Sequence, residues 1–490
     1  MNTVKSYLIR KPAVALLLLL LGGCTAVGPN YAPPRPDLPK QWSETTGLSV
    51  PAGDAALNEW WTLFGDPILD SLVRRTIAAN QDLRIAETRI REARAQRQVV
   101  GAAQSPALGA SATATHSQSY ANTAAGAARG ELFQTGFDAD WELDIFGRVR
   151  RSVEAADAAV ASSVEARRDL QVSLLAEVAR NYLELRGSQQ RLALARGNLV
   201  NLQETVKLIE KRLAIGLSSE LELEQAKNQL YSNQSLLPGF ETQIAMAMHR
   251  LALLIGQPPQ ALVAELTPET ALPATPPEIP VSLPSDLLRR RPDIRQAERD
   301  LAAATAQVGV ATADLFPRFS LAALAGLEST SLSDLVSSGS RFWSIGPTVM
   351  WSLFDGGKIR AGIESSKAQH ERARIGYEKT VLTALTEVED ALIAYNRESQ
   401  TRQDLAAAFT AAQRASTLAR EQFKLGLIDF LNVLASEYAL RQSHDQLLQS
   451  DQRQATAMVG LFKALGGGWN PQAEDQTTPA TSKKDATARY

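Results

Sequence analysis

Trp141-Glu-Leu-Asp-Ile-Phe-Gly147-Arg-Val-Arg150 returns in altered form as Trp351-Ser-Leu-Phe-Asp-Gly-Gly357-Lys-Ile-Arg360, 210 positions later. Other landmarks keep nearly the same spacing. Arg212-Leu-Ala-Ile-Gly216-Leu217 returns as Gln422-Phe-Lys-Leu-Gly426-Leu427, and Leu254-Ile-Gly256 as Ala464-Leu-Gly466, both at 210. Gln81-Asp-Leu-Arg-Ile-Ala-Glu87 returns as Pro292-Asp-Ile-Arg-Gln-Ala-Glu298 at 211. Chance does not hold several landmarks at one spacing, so the chain is an internal duplication.

The quoted stretch lies where the hydrophobic period changes. Before it, Phe133, Thr135, Phe137, Ala139, Trp141, Leu143 and Ile145 alternate with Gln134, Gly136, Asp138, Asp140, Glu142 and Asp144. That is period 2, a strand with one apolar and one wet face. Trp343, Ile345, Val349, Trp351 and Leu353 repeat the pattern in the second copy. Weaker strands are expected near 106–118 and 318–328, with exposed loops rich in small residues at 119–130 and 329–340. A helix precedes each strand pair, over 66–102 and 292–315.

After each pair the period becomes helical. Leu199, Leu202, Val206, Ile209 and Leu213 step by three and four, as do Val381, Leu385, Val388, Leu392 and Tyr395. No proline interrupts 148–213 or 356–423. A helix of that size runs to roughly 100 Å, about three bilayer cores. A glycine turn at Gly216 or Gly426 and a returning helix, 220–255 or 430–465, complete two coiled-coil hairpins.

The N-terminus is of another kind. Lys5, Arg10 and Lys11 precede an apolar run from Ala13 to Leu21, too short to span a bilayer as a helix. The segment ends in Leu21-Gly22-Gly23-Cys24 and resembles a lipoprotein signal, with Cys24 as the acylated first mature residue. Thr25 in place of aspartate then implies sorting to the outer membrane. Cys24 is the only cysteine, so no disulfide forms within the chain. Several acyl chains on one cysteine anchor stably where a single chain is marginal.

The expected divisions are a signal segment, 1–23, and an extended anchored segment, 24–65. Repeat 1 covers 66–256, and a linker with eight prolines, read as irregular, covers 257–284. Repeat 2 covers 285–468, and 469–490 is a polar tail expected to be disordered.

Composition narrows the function. A net charge of -2 gives no reason to invoke nucleic acid. Arg289-Arg290-Arg291 is isolated before Pro292 and is read as a local cap or salt-bridge site. His116, His249, His370 and His444 lack metal-ligand spacing, and no nucleophile–base pair stands out, so no enzyme, metal or cofactor is expected. Lipid-facing strands must pair on both edges, and bacterial barrels start at eight strands. Three chains with four strands each supply twelve. The aromatic face of 133–145 then suits lipid, and Asp138, Asp140 and Glu142 suit a wet lumen.

The Trp141–Arg150 stretch, its partner Trp351–Arg360, Leu287-Leu-Arg-Arg-Arg-Pro-Asp-Ile294 with Ala297-Glu298, and Gly28-Pro-Asn-Tyr31 together resemble the TolC/OprM-like outer-membrane factor family. The NodT-type efflux lipoproteins are its most similar branch. The resemblance implies a mostly α membrane protein: a homotrimer with a 12-stranded transmembrane β-barrel continued by a 12-helix periplasmic α-barrel. It implies the outer-membrane channel of a tripartite efflux pump, partnered by a periplasmic adaptor and an inner-membrane RND pump, and conducting drugs or other small toxic molecules. It places adaptor contacts at Ile215, Gly216 and Leu217 and at Leu425, Gly426 and Leu427. It places the tunnel gate near Leu431. The family's usual aspartate and arginine there are Ala435 and Tyr438, so Asp429 or the Glu220, Glu222 and Glu224 group is the remaining source of charge. An exit duct for type I protein secretion and a structural coiled-coil lipoprotein are the alternatives. The second would show heptads without period-2 segments.

Overall fold

A computed structural model describes residues 26–44, 48–49, 54–118, 129–275, 279–280 and 283–470. The signal segment, Cys24 and the tail beyond residue 470 lie outside them. The chain divides into two compact units. One holds the described residues 26–35, here called the strap, with Thr88–Val164 and Gln296–Glu378; the other holds Pro36–Glu87, Glu165–Arg295 and the chain from Lys379.

Repeat 1 runs α1 (Pro67–Ala79), α2 (Gln81–Ala102), β1 (Ala107–Gln118), β2 (Arg129–Leu143), α3 (Arg148–Ala214), α4 (Glu220–Gln234) and α5 (Leu237–Leu254). Repeat 2 runs α6 (Pro292–Ala313), β3 (Arg318–Ser329), β4 (Arg341–Met350), α7 (Lys358–Lys424) and α8 (Phe430–Ala464). The two long helices, α3 and α7, each have 67 residues.

In the first unit the four strands form one antiparallel sheet in sequence order. Its register puts Leu108, Ala110, Phe137, Trp141, Leu321, Ala323, Ile345 and Val349 on one face and Ser111, Asp138, Asp140, Ser320 and Thr348 on the other. The apolar face is bare: Trp343 is 77% exposed. Among the described residues no helix is long and apolar enough to cross a membrane.

The helix expected over 66–102 breaks at Asn80, which is extended and buried. Its Oδ1 accepts from the backbone of Asp82 and Leu83, capping α2, and its Nδ2 donates to the carbonyl of Leu254 at 2.8 Å. The returning helix expected over 220–255 is also two pieces, α4 and α5, with Pro238 at the start of the second. The corresponding α8 carries no proline and is continuous.

Three other expectations change. The segment 24–65 is not extended throughout: Asp54–Asn58 is α-helical and Trp60–Phe64 is a 3-10 turn. Trp60 is fully buried and stacks on Phe462 at 5.3 Å. The Pro-rich linker is irregular only in part, since 259–266 is helical and buries Leu262 and Leu266 completely. The polar tail starts after Trp469, which is buried and donates its indole N–H to the Arg290 carbonyl at 3.2 Å. The guanidinium groups of Arg168 and Arg295 lie 4.7 and 5.3 Å from its ring centre.

Candidate functional site

The sheet and the hairpin tips carry the candidate functional residues, and each is built differently. On the wet face of the sheet, Asp138 and Asp140 are exposed. Asp138 stands opposite Gly109, where a Cβ would lie 2.8 Å from its carboxylate oxygens, so glycine leaves the carboxylate room. Glu142 is half-buried and accepts from Arg148 Nε at 2.9 Å. Asp144 extends the alternation in sequence but leaves the wall: its carboxylate accepts from the backbone of Val149 and Arg150 and caps α3.

The strap behind Cys24 is docked from its first described residues. Val27 donates its backbone N–H to the Phe146 carbonyl at 3.0 Å. Arg151 donates to the Val27 carbonyl and, at 2.6 Å, to Asn30 Oδ1. The Tyr31 hydroxyl donates to Glu298 at 2.9 Å.

At the tips, α3 and α7 end alike. Gly216 has φ +76° and Gly426 φ +72°. The Leu217 N–H donates to the Arg212 carbonyl and Gly216 to Leu213, while Leu427 donates to Gln422 and Gly426 to Phe423. These are paired Schellman closures, which need the left-handed residue that glycine supplies. Ile215, Leu217, Leu425 and Leu427 are left between 62% and 73% exposed. Beneath them Val206, Ile209, Leu223, Phe430, Val433 and Leu434 bury a core shared by both hairpins. The tips are therefore apolar knobs on a packed base.

The residues after the turns have separate roles. Ser219 and Glu222 form a capping box on α4, and the Ser218 hydroxyl also donates to Glu222. Those hydrogen bonds, from Ser218 first and then the Ser219 N–H, hold the Glu222 carboxyl below the usual glutamate range. Glu224 pairs with Lys227 at 2.8 Å. Asp429 occupies the N-cap of α8, and its exposed carboxylate makes no capping bond. Leu431, Ala435 and Tyr438 are exposed and line an open cavity of about 510 Å³ with Glu224, Gln225 and Asn228.

Sequence reading missed two polar residues. Glu437 is nine-tenths buried and accepts from Arg420 Nε at 2.9 Å, with Arg441 at 3.7 Å. Arg186 is fully buried; it donates to the Tyr182 hydroxyl, to Gln189 and to the Pro268 carbonyl. Burial, then the hydrogen bond to Asp66, pushes the Tyr182 hydroxyl well above its usual range, so it stays protonated and donates to Asp66 at 2.6 Å. Each has partners three or four positions away on its own helix, a spacing common on exposed faces, and only Arg420 and the Leu266 and Pro268 carbonyls, from other elements, mark the burial. Arg289, Arg290 and Arg291 meet Asp286, Asn58 and Asp293 with Glu387, respectively. Among the described residues no group of three or more histidine, cysteine, aspartate or glutamate side chains is placed to hold a metal.

Known proteins share this arrangement over nearly the whole chain. Nodulation protein T of Rhizobium leguminosarum bv. trifolii is 33% identical over 464 residues, covering 93% of this chain and 97% of that protein. The solvent efflux pump outer membrane protein SrpC of Pseudomonas putida is 34% identical over 467 residues, covering 92% and 97%. The solved outer-membrane channel OprN matches with TM-score 0.85 and 36% identity, covering 90% of this chain and 99% of that one. The open state of the Neisseria gonorrhoeae MtrE outer membrane channel matches with TM-score 0.79 and 26% identity, covering 91% and 99%. The family signature described as outer membrane efflux protein matches twice, at residues 72–257 and 283–467, once for each repeat, and the chain belongs to that family.

Proposed function

We propose that three copies of this chain form the outer-membrane channel of a tripartite RND-type efflux pump. The channel conducts drugs or other small toxic molecules passively from a periplasmic adaptor and inner-membrane pump to the exterior. The carrying observation is the sheet: a bare apolar face, a polar face with Asp138 and Asp140, and outer edges on β1 and β4 that have no strand partner among the described residues. Only closure satisfies those edges in hydrocarbon. The exposed Ile215, Leu217, Leu425 and Leu427 knobs support an adaptor-docking role for the tips. Leu431 and Tyr438 support a gate that closes by apolar packing, because Ala435 carries no charge and Asp429 lies beside the turn.

The chain performs no catalysis and needs no cofactor in this reading. Its covalent lipid, a diacylglycerol with an N-acyl chain on Cys24, supplements the barrel as an anchor. Deletion and complementation test the proposal. Loss of the chain should raise susceptibility to several unrelated toxic compounds, and the purified protein should conduct ions in planar bilayers. Unchanged susceptibility together with no conductance would defeat it.

A further inference from the structure

The two repeats correspond rung for rung in the sheet. In repeat 1, Ala107 pairs with Asp140 and His116 with Glu131. The residues 211 and 210 positions later pair in repeat 2, as Arg318 with Met350 and Leu327 with Arg341. The anchoring side chains follow. Trp141 donates its indole N–H to the Gln104 carbonyl at 3.2 Å, and Trp351 donates to Leu315 at 3.1 Å. The duplication therefore preserves register as well as topology.

One further ladder joins the repeats within the chain. It pairs β2 with β3, from Phe133 opposite Ser329 to Leu143 opposite Phe319. The same shift carries β2 onto β4 and β3 back onto β1, and so defines a ladder that one chain cannot form with itself.

We infer that β4 of one copy pairs antiparallel with β1 of the next, with Trp343 opposite Gln118, Ile345 opposite His116, Val349 opposite Ala112, Trp351 opposite Ala110 and Leu353 opposite Leu108. This inference rests on the trimeric reading above and adds its register.

Two independent features agree with it. The first is parity. The transferred ladder sets odd residues of β4 against even residues of β1. Those sets already share the apolar face through the three observed ladders. A slip of one residue would turn one strand's apolar side chains to the lumen. The second is exposure. Leu143 and Phe319, the rung that ends the in-chain ladder, are half-buried, and Phe146 stacks on Phe316 at 4.6 Å. The transferred counterparts of Leu143 and Phe319 are bare: Leu353 is 80% exposed and Leu108 75%. The strand β4 also stops at Met350, whereas β2 continues to Leu143, the counterpart of Leu353. The last residues of β4 lack the partner that would extend them. Pro347 leaves one rung beside it without a donor, which does not alter the register.

Cysteine cross-linking of the full-length protein in its membrane tests the register. Cys24 is the only native cysteine, so introduced pairs report alone. Directly opposed residues have Cβ atoms about 5 Å apart, and diagonal neighbours stand about 7–8 Å apart. Val349→Cys with Ala112→Cys, and Ile345→Cys with His116→Cys, should give disulfide-linked dimers and trimers on mild oxidation. The yield should be severalfold higher than from Val349→Cys with Ala110→Cys or with Ala114→Cys. Native gels of the reduced variants establish that each assembles. A higher yield from a shifted pair, or trimers with no cross-link at any of these pairs, overturns the register and leaves the trimer standing. Monomers for the unsubstituted chain would overturn the trimeric reading itself, and the register with it.

Discussion

Gly28 and Gly309 meet backbone to backbone: a Cβ on Gly28 would lie 2.5 Å from the Gly309 Cα. Gly28 also has φ +88°. Contact and conformation both demand glycine, and the contact fixes the strap against α6, which carries Gly309. Gly28→Ala should therefore release the strap and cost about 2–3 kcal/mol. Limited proteolysis near Asn30 and the temperature of thermal unfolding check this. Unchanged protection and stability would show that the strap does not depend on this contact.

The tip glycines make a contrasting case. A Cβ at Gly216 or Gly426 meets nothing within 4 Å, so only the left-handed backbone opposes a side chain there. Gly216→Ala should cost about 1 kcal/mol, less than Gly28→Ala. Leu217→Asp and Leu427→Asp should leave assembly intact and weaken adaptor binding at least about tenfold, the effect of about 1.4 kcal/mol. Titration of the purified adaptor against each variant measures it.

The buried Arg186 holds α3 to the linker through the Leu266 and Pro268 carbonyls, and reaches Asp66 through Tyr182. Arg186→Met keeps bulk and removes the donors, leaving buried acceptors unpaired. The expected loss is about 2–3 kcal/mol. Thermal unfolding should show a lower midpoint than wild type. An unchanged midpoint would mean that water replaces the guanidinium.

Acid should weaken the helical unit through His444. Burial, the main cause, holds its pKa below the usual value, against the opposing pull of Asp445 and Asp451. Its ring lies 4.6 Å from Phe409. The unfolded chain then binds the proton more tightly than the folded one. The stability is full above the ordinary histidine value of about 6.5 and falls as pH drops from there through the folded value. His444→Gln should reduce the drop in unfolding temperature as pH falls from about 7.5 through the ordinary histidine value of about 6.5. An equal drop in both proteins would remove His444 as the cause.

A gate built on apolar packing gives a further expectation. Leu431→Ser should raise single-channel conductance, whereas Asp429→Asn should change it little, because that carboxylate caps nothing and lies at the turn. The reverse ranking in planar bilayers would return the gate to charge.

Much of the chain was legible before any coordinates. The limits of β1 through β4 lie within a few residues of the period-2 segments, and α3 and α7 begin and end within two residues of the proline-free stretches. Strands and helices of this kind announce themselves because burial on one face imposes a period. Three of the differences fall where one residue overrides a period. Asn80 stops a helix through side-chain bonds, and Pro238 divides α4 from α5 where its counterpart helix runs on. Asp144 continues an alternation but caps a helix.

The sequence by itself determined the duplication, the two periods, the glycine-ended hairpins and the lone Cys24, since each is a local or repeated pattern. Tertiary structure alone decided that Glu437 joins Arg420, that Arg186 is buried and that Trp469 belongs to the core. Those assignments depend on side chains brought together from distant elements, where desolvation selects a partner that no spacing encodes.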